Sequence, residues 1–122
     1  MIEIKKINDI NKAKMLCADH RVEWNDQLHV IAALEGEKTL CSAIFSYDDE
    51  QGKIYSINGF DGDLLMLDGL CRAILNIMDI NDVKYVYFTK NHRELAQKLG
   101  FSEGKNDFEL SLEGFFKCCC HK

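Results

Sequence analysis

Four clusters of side chains in this sequence have types and spacing that can carry chemistry. The first is "KCCCHK", with Cys118, Cys119, Cys120 and His121 as four soft ligands in a row. Adjacent residues point in different directions and cannot close a tetrahedral site around one ion. Cys118 and Cys120 share a face and can capture a metal with ligands from elsewhere. Lys117 and Lys122 beside them lower thiol pKa and favour redox or exchange chemistry. The second cluster is the turn in "INGFDGDLLML", where Gly59 and Gly62 precede a long apolar run. A glycine turn into a helix is a place where free N–H groups receive a phosphate. The third is Tyr85 and Tyr87 on one predicted strand, which can serve as acids or pack as aromatics. The fourth is His29 and Glu35, which flank another strand and are candidate bases.

The acidic residues of the turn argue against a phosphate there. A carboxylate about 5 Å from a phosphate costs about 1 to 3 kcal/mol at an effective dielectric of 80 to 20. Asp61 and Asp63 together offset most of what a helix N-terminus supplies. Asp is also a preferred N-cap and satisfies the N–H groups that a phosphate would use. The residues by themselves describe a self-capped helix start.

The elements that must position these groups read as one α+β domain over 1–117, followed by a Cys-rich tail at 118–122. "MIEIKKI" alternates as a strand, and Asn8 or Asp9 caps a helix to about His20 with Ile10, Ala13, Leu16 and Cys17 at helical spacing. "LHVIAAL" and "TLCSAIFSY" form a hairpin through Gly36, "DDEQGK" turns the chain again, and "KIYSINGF" is the next strand. Residues 63–80 are a helix with Leu64, Leu67, Cys71, Ile74 and Met78 on one face and an Asp68–Arg72 pair on the other. "VKYVYFT" is a strand, "NHRELAQKLGF" a helix capped by Asn91 and ended by Gly100, and "DFELSL" the last strand before Phe115 and Phe116 bury a short turn. The predicted order is β-α-β-β-β-α-β-α-β, a mixed sheet flanked by helices.

Composition bounds the function. The chain has 122 residues, a net charge of −5 and 47% hydrophobic residues, with both signs of charge interspersed. The absence of a basic stripe excludes the usual nucleic-acid footprint. There is no signal-like apolar segment at the start and no apolar run near 18 residues, so a cytoplasmic protein without a membrane span is expected. Six cysteines without a loop-rich pattern fit reduced thiols, with Cys17, Cys41 and Cys71 as small core hydrophobes.

The order of elements, and above all "YVYFTKNHRELAQKLGF" after "DLLMLDGLCRAILNIMDINDVK", resembles the GNAT-type N-acetyltransferase superfamily over most of the chain. The resemblance implies acyl-CoA between the fourth and fifth strands, with its pyrophosphate at the start of the helix between them. The implied contacts are Asn58, Phe60, Gly62 and Leu64 around that turn and Asn91 at the start of the following helix. It also implies acetyl transfer to the amine of a small molecule or protein, with acetyl-CoA or another acyl-CoA as cofactor. The family's spaced glycine motif is missing from "GFDGDLLML", and its usual acid, a Tyr four residues before the Gly of Gly-Phe, is Ala96 here. The reading is thus a divergent N-acyltransferase or a degenerate binding module on that fold. Two alternatives stand beside it: a non-enzymatic thiol or metal-binding adaptor acting through the tail, and a homodimer formed through an exposed strand edge.

Overall fold

The computed structural model describes residues 2–59, 64–89, 93–104 and 107–112. One seven-stranded sheet organises them, in the order β1-β2-β3-β4-β5-β7-β6. The strands are β1 (Ile2–Lys6), β2 (His29–Glu35), β3 (Lys38–Tyr47), β4 (Gln51–Gly59), β5 (Tyr85–Phe88), β6 (Ser102–Glu103) and β7 (Phe108–Ser111). The helices are α1 (Ile10–Asp19), α2 (Leu64–Ile80) and α3 (Arg93–Leu99). Every neighbouring pair is antiparallel except β4 and β5, which are parallel and joined through α2.

The sheet has a helix layer on each side, and strand alternation sorts the core between them. Ile31 and Ala33 of β2, Cys41, Ala43 and Phe45 of β3, and Val86 and Phe88 of β5 face α2 and α3. Val30, Ala32 and Leu34 of β2 and Ile44 of β3 face Ala13, Leu16 and Cys17 of α1. From α2 the larger core receives Leu67, Leu70, Cys71, Ile74, Leu75 and Met78. Each fully buried aliphatic side chain contributes roughly 1.5 to 3 kcal/mol. The Asp68–Arg72 pair forms at 2.9 Å on the other face of α2. β4 can lie against α2 because Gly52 has no side chain there. An added Cβ would sit 2.6 Å from Sδ and Cε of Met78.

All three helices end alike. In each, the residue after the cap is left-handed: Arg21 (φ 61°), Asp82 (φ 64°) and Gly100 (φ 96°). The next residue then bonds back five positions, as in Val22 N–H to Cys17 O, Val83 N–H to Met78 O and Phe101 N–H to Ala96 O. This is the Schellman closure, and Gly100 fills it as expected.

Three expectations change. Ile10 is 58% exposed, because α1 meets the sheet only from its second turn at Ala13. The turn after β3 is shorter than "DDEQGK". Asp48 Oδ1 accepts from the N–H groups of Glu50 and Gln51, which returns the chain to strand at Gln51. β6 is an additional strand of two residues, too short to show alternation in sequence. The expected burial of Phe115 and Phe116 lies outside the described residues.

Candidate functional site

β5 is shorter than β4, ending at Phe88 while β4 runs on to Gly59. Their parallel ladder joins Gln51, Gly52, Lys53 and Ile54 to Tyr85, Val86, Tyr87 and Phe88, and ends there. On its other side β4 stays paired to β3 up to Gly59, but the register shifts: Phe45 opposes Ile54 while Ile44 opposes Ser56. Tyr55 is therefore an extra residue, a β-bulge, at the point where β4 and β5 part. Bulges bend a strand and re-aim its side chains. Beyond it Ser56, Ile57, Asn58 and Gly59 have no parallel partner among the described residues. The opposite side ends at Thr89, whose buried hydroxyl has no hydrogen-bond partner among the described residues. A buried unpaired hydroxyl costs about 1 to 3 kcal/mol and calls for an explanation.

Of the sequence-predicted contact residues, Asn58 is exposed at the end of β4 and Leu64 is the first residue of α2. Phe60, Gly62 and Asn91 lie outside the described residues, as do Asp61 and Asp63.

A cleft of about 530 Å³ lies on the α1 side of the sheet next to the bulge, lined by Gln27, Ser46, Tyr47, Asp48, Gln51, Gly52, Lys53, Tyr55, Tyr87 and Asp107. Ser46 Oγ donates to the Tyr55 hydroxyl at 3.1 Å, which leaves the Tyr55 proton free for another acceptor. Lys53 Nζ lies 5.2 Å from the Tyr55 ring centroid and 3.9 Å from Asp107 Oδ2. The N–H groups of Gln51 and Glu50 hold the Asp48 carboxyl below its ordinary range. Two carboxylates against one ammonium leave the cleft net negative.

The predicted acids and bases divide. Tyr87 lines the cleft, whereas Tyr85 points to solvent at the far end of β5. His29 stacks on Tyr47 at 5.1 Å and meets the Phe45 ring at a tilt at 5.3 Å, and burial together with Lys6 lowers its pKa. Glu35 is at the other end of β2, about 20 Å away along a strand at about 3.4 Å per residue. His29 and Glu35 do not meet. Ala96 is fully buried on α3 within the core and offers no acid.

Sequence reasoning missed a second polar cluster. His20, at the C-cap of α1, reaches Ser42 Oγ with Nε2 at 2.7 Å and Ser56 Oγ with Nδ1 at 2.8 Å. It fastens α1 to β3 and to β4 just past the bulge. Beside it lies a shallow hollow of about 280 Å³ that includes Asn58. Ser42 and Ser56 stand 22 and 36 residues from His20, so no local pattern joins them.

Cys17, Cys41 and Cys71 are buried thiols, as expected. Burial, with Asp68 adding repulsion, pushes the Cys71 thiol up to about 12. Among the described residues no group of three His, Cys, Asp or Glu can hold a metal ion. Cys118 and Cys120 lie outside them. Among the described residues no helix is long and apolar enough to cross a membrane.

The sequence matches no family profile and no curated protein. Solved structures do match its fold. The ribosomal-protein-S18-alanine N-acetyltransferase of Escherichia coli is similar at TM-score 0.71 and 13% identity, over 92% of this chain and 94% of that one. A GNAT-family acetyltransferase of Staphylococcus aureus Mu50 is similar at TM-score 0.70 and 11% identity, over 92% and 99%. A GNAT-family acetyltransferase of Elizabethkingia anophelis, solved with acetyl-CoA bound, is similar at TM-score 0.65 and 13% identity, over 85% and 78%. The mixed sheet, its single parallel pair and the helices on both faces are thus the fold of the GNAT-type N-acetyltransferases.

Proposed function

We propose that the protein is a divergent acyl-CoA-dependent N-acyltransferase, taking acyl-CoA in the opening between β4 and β5 and an amine in the adjoining cleft. The observation that carries this reading is the end of the β4–β5 ladder at Ile54 and Phe88, beside the Tyr55 bulge. Past that point β4 presents backbone groups with no strand partner among the described residues. An extended ligand with amide groups, such as the pantetheine arm of CoA, suits an edge of this kind. The Thr89 hydroxyl, without a partner among the described residues, supports the same placement. Asn58 lies on this half of β4, and it is assigned to the site from the sequence together with Phe60, Gly62, Leu64 and Asn91.

Acyl-CoA supplies an activated thioester. The chain's part is to hold it, to receive the amine and to return a proton to the leaving thiol. We assign that proton to Tyr55, because Ser46 already donates to its oxygen. Tyr87 is the alternative on the same cleft wall. The net negative charge from Asp48 and Asp107 against Lys53 favours arrival of a cationic amine, which gives its proton to water before its lone pair attacks the thioester carbonyl. Asp61 and Asp63 weaken the pyrophosphate end, so this enzyme's affinity for CoA is low and rests on the arm.

The test is backbone hydrogen exchange with and without millimolar acetyl-CoA, run beside a thiol-release assay over a panel of amines. The amides of residues 56–59 should slow while those of β1 do not. Tyr55→Phe should keep that protection and lose turnover at least 100-fold, the lower range for a general acid. Unchanged exchange in both the natural chain and an Asp61→Gly/Asp63→Gly variant would remove the proposal.

A further inference from the structure

β1 forms one edge of the sheet, paired to β2 and to nothing on its other side among the described residues. All five of its residues are exposed, including Ile2 at 48% and Ile4 at 40%. It carries no proline and no bulge, two common means of blunting an edge. Its backbone orientation follows from Ile7, whose N–H donates to Val30 O of β2 at 2.9 Å. Alternation then turns the backbone groups of Glu3 and Lys5 toward β2, and those of Ile2, Ile4 and Lys6 toward the open edge.

We propose that this edge pairs with the same edge of a second copy, antiparallel about a two-fold axis at Ile4. With Ile4 against the partner's Ile4, Ile2 faces the partner's Lys6, and every outward N–H and C=O finds its counterpart. The residues between them form the close, non-hydrogen-bonded pairs of the ladder, with Cα atoms about 4.5 Å apart. Glu3 there lies opposite the partner's Lys5, and Lys5 opposite the partner's Glu3. Within one chain the same two side chains already stand 4.0 Å apart on one face.

The neighbouring registers fail on charge. Pairing Ile2 with the partner's Ile4 sets Glu3 against the partner's Glu3. Pairing Ile4 with the partner's Lys6 sets Lys5 against the partner's Lys5. Like charges directly opposite are destabilising, so the charge pattern selects one register and makes the strand complementary to itself. That self-complementarity is why the occupant is a second copy and not an unrelated strand. On the other face Ile2 and Ile4 of both chains would form a continuous apolar stripe.

A five-residue strand buries less than the roughly 1,200–2,000 Å² of a stable interface, so the dimer is weak and concentration-dependent. Sedimentation equilibrium of the whole chain at low salt should show it in the range of roughly tens to hundreds of micromolar. Glu3→Lys and Lys5→Glu, both at exposed positions, should each weaken self-association about ten-fold, since each reverses two cross-strand pairs. An equimolar mixture of the two variants should recover a heterodimer at least as tight as the natural dimer. Ile4→Pro removes an N–H that β2 does not use and should abolish association while leaving the thermal transition in place. A natural chain that stays monomeric at millimolar concentration overturns the proposal. So does a dimer indifferent to the single charge changes, or a mixture that fails to recover.

Discussion

His20 offers a worked case of how a polar cluster contributes to this fold. Its two ring nitrogens bond to Ser42 and Ser56, and Ser42 is 5% exposed, the one buried polar side chain of the core among the described residues. His20→Ala should orphan the Ser42 hydroxyl in the interior and the Ser56 hydroxyl near the surface. An unsatisfied buried group costs about 1 to 3 kcal/mol and a half-exposed one less, so the total should be about 2 to 3 kcal/mol. For a domain of 122 residues that is a fall in Tm of roughly 6 to 12 °C. Ser42→Ala alone should cost about 1 kcal/mol, because it leaves one nitrogen of a partly exposed ring without its partner. In the His20→Ala background the same change should cost nothing or stabilise slightly, since it removes the orphan. The double-mutant cycle, measured by urea unfolding, should therefore give a coupling of about 1 to 2 kcal/mol. The cycle also cancels whatever else His20 contributes. Additivity within about 0.3 kcal/mol would refute the reasoning, because the two groups would then not depend on each other.

Four further outcomes follow from particular residues. Arg21→Gly should raise stability by up to about 1 kcal/mol in a thermal melt, because Arg21 sits at φ 61°; Asp82→Gly at φ 64° should gain less, Asp being more tolerant of that region. His29 has its pKa lowered from 6.5 by burial and by Lys6, so the unfolded chain binds its proton first. Stability should fall as pH drops from about 6.5 through the lower folded value, and His29→Gln should flatten that part of a urea-midpoint profile. Ala96→Tyr, which would restore the resembled family's acid, should instead destabilise by more than about 2 kcal/mol, because Ala96 is fully enclosed in the core. Native alkylation at pH 8, counted by mass spectrometry, should leave Cys17, Cys41 and Cys71 unmodified and confine reaction to Cys118, Cys119 and Cys120.

What the sequence discloses depends on whether the cause is local. The period of Leu67, Cys71, Ile74 and Met78 is a property of one helix, and that helix forms and buries that face. Gly100 at φ 96° is equally local, since only the chain's own handedness decides it. The parallel β4–β5 pair is not local, but a strand–helix–strand order leaves few other solutions. The site is different. His20 finds Ser42 and Ser56 only after three elements have packed, and the cleft joins Gln27 to Asp107 from opposite ends of the chain. The bulge is an intermediate case. Ile54 and Ile57 are both buried in the same core although they are three residues apart, an odd step that a regular strand would send to opposite faces. Only an extra residue between them reconciles the two, and Tyr55 is that residue. A broken alternation in "KIYSING" is therefore the one mark of the opening that was written in the sequence, and it falls where β4 leaves β5. The packing demand that buries both isoleucines places the bulge next to the residue at which the pairing of β4 with β5 ends. One misfit in the strand pattern thus serves the core and marks where the candidate site begins.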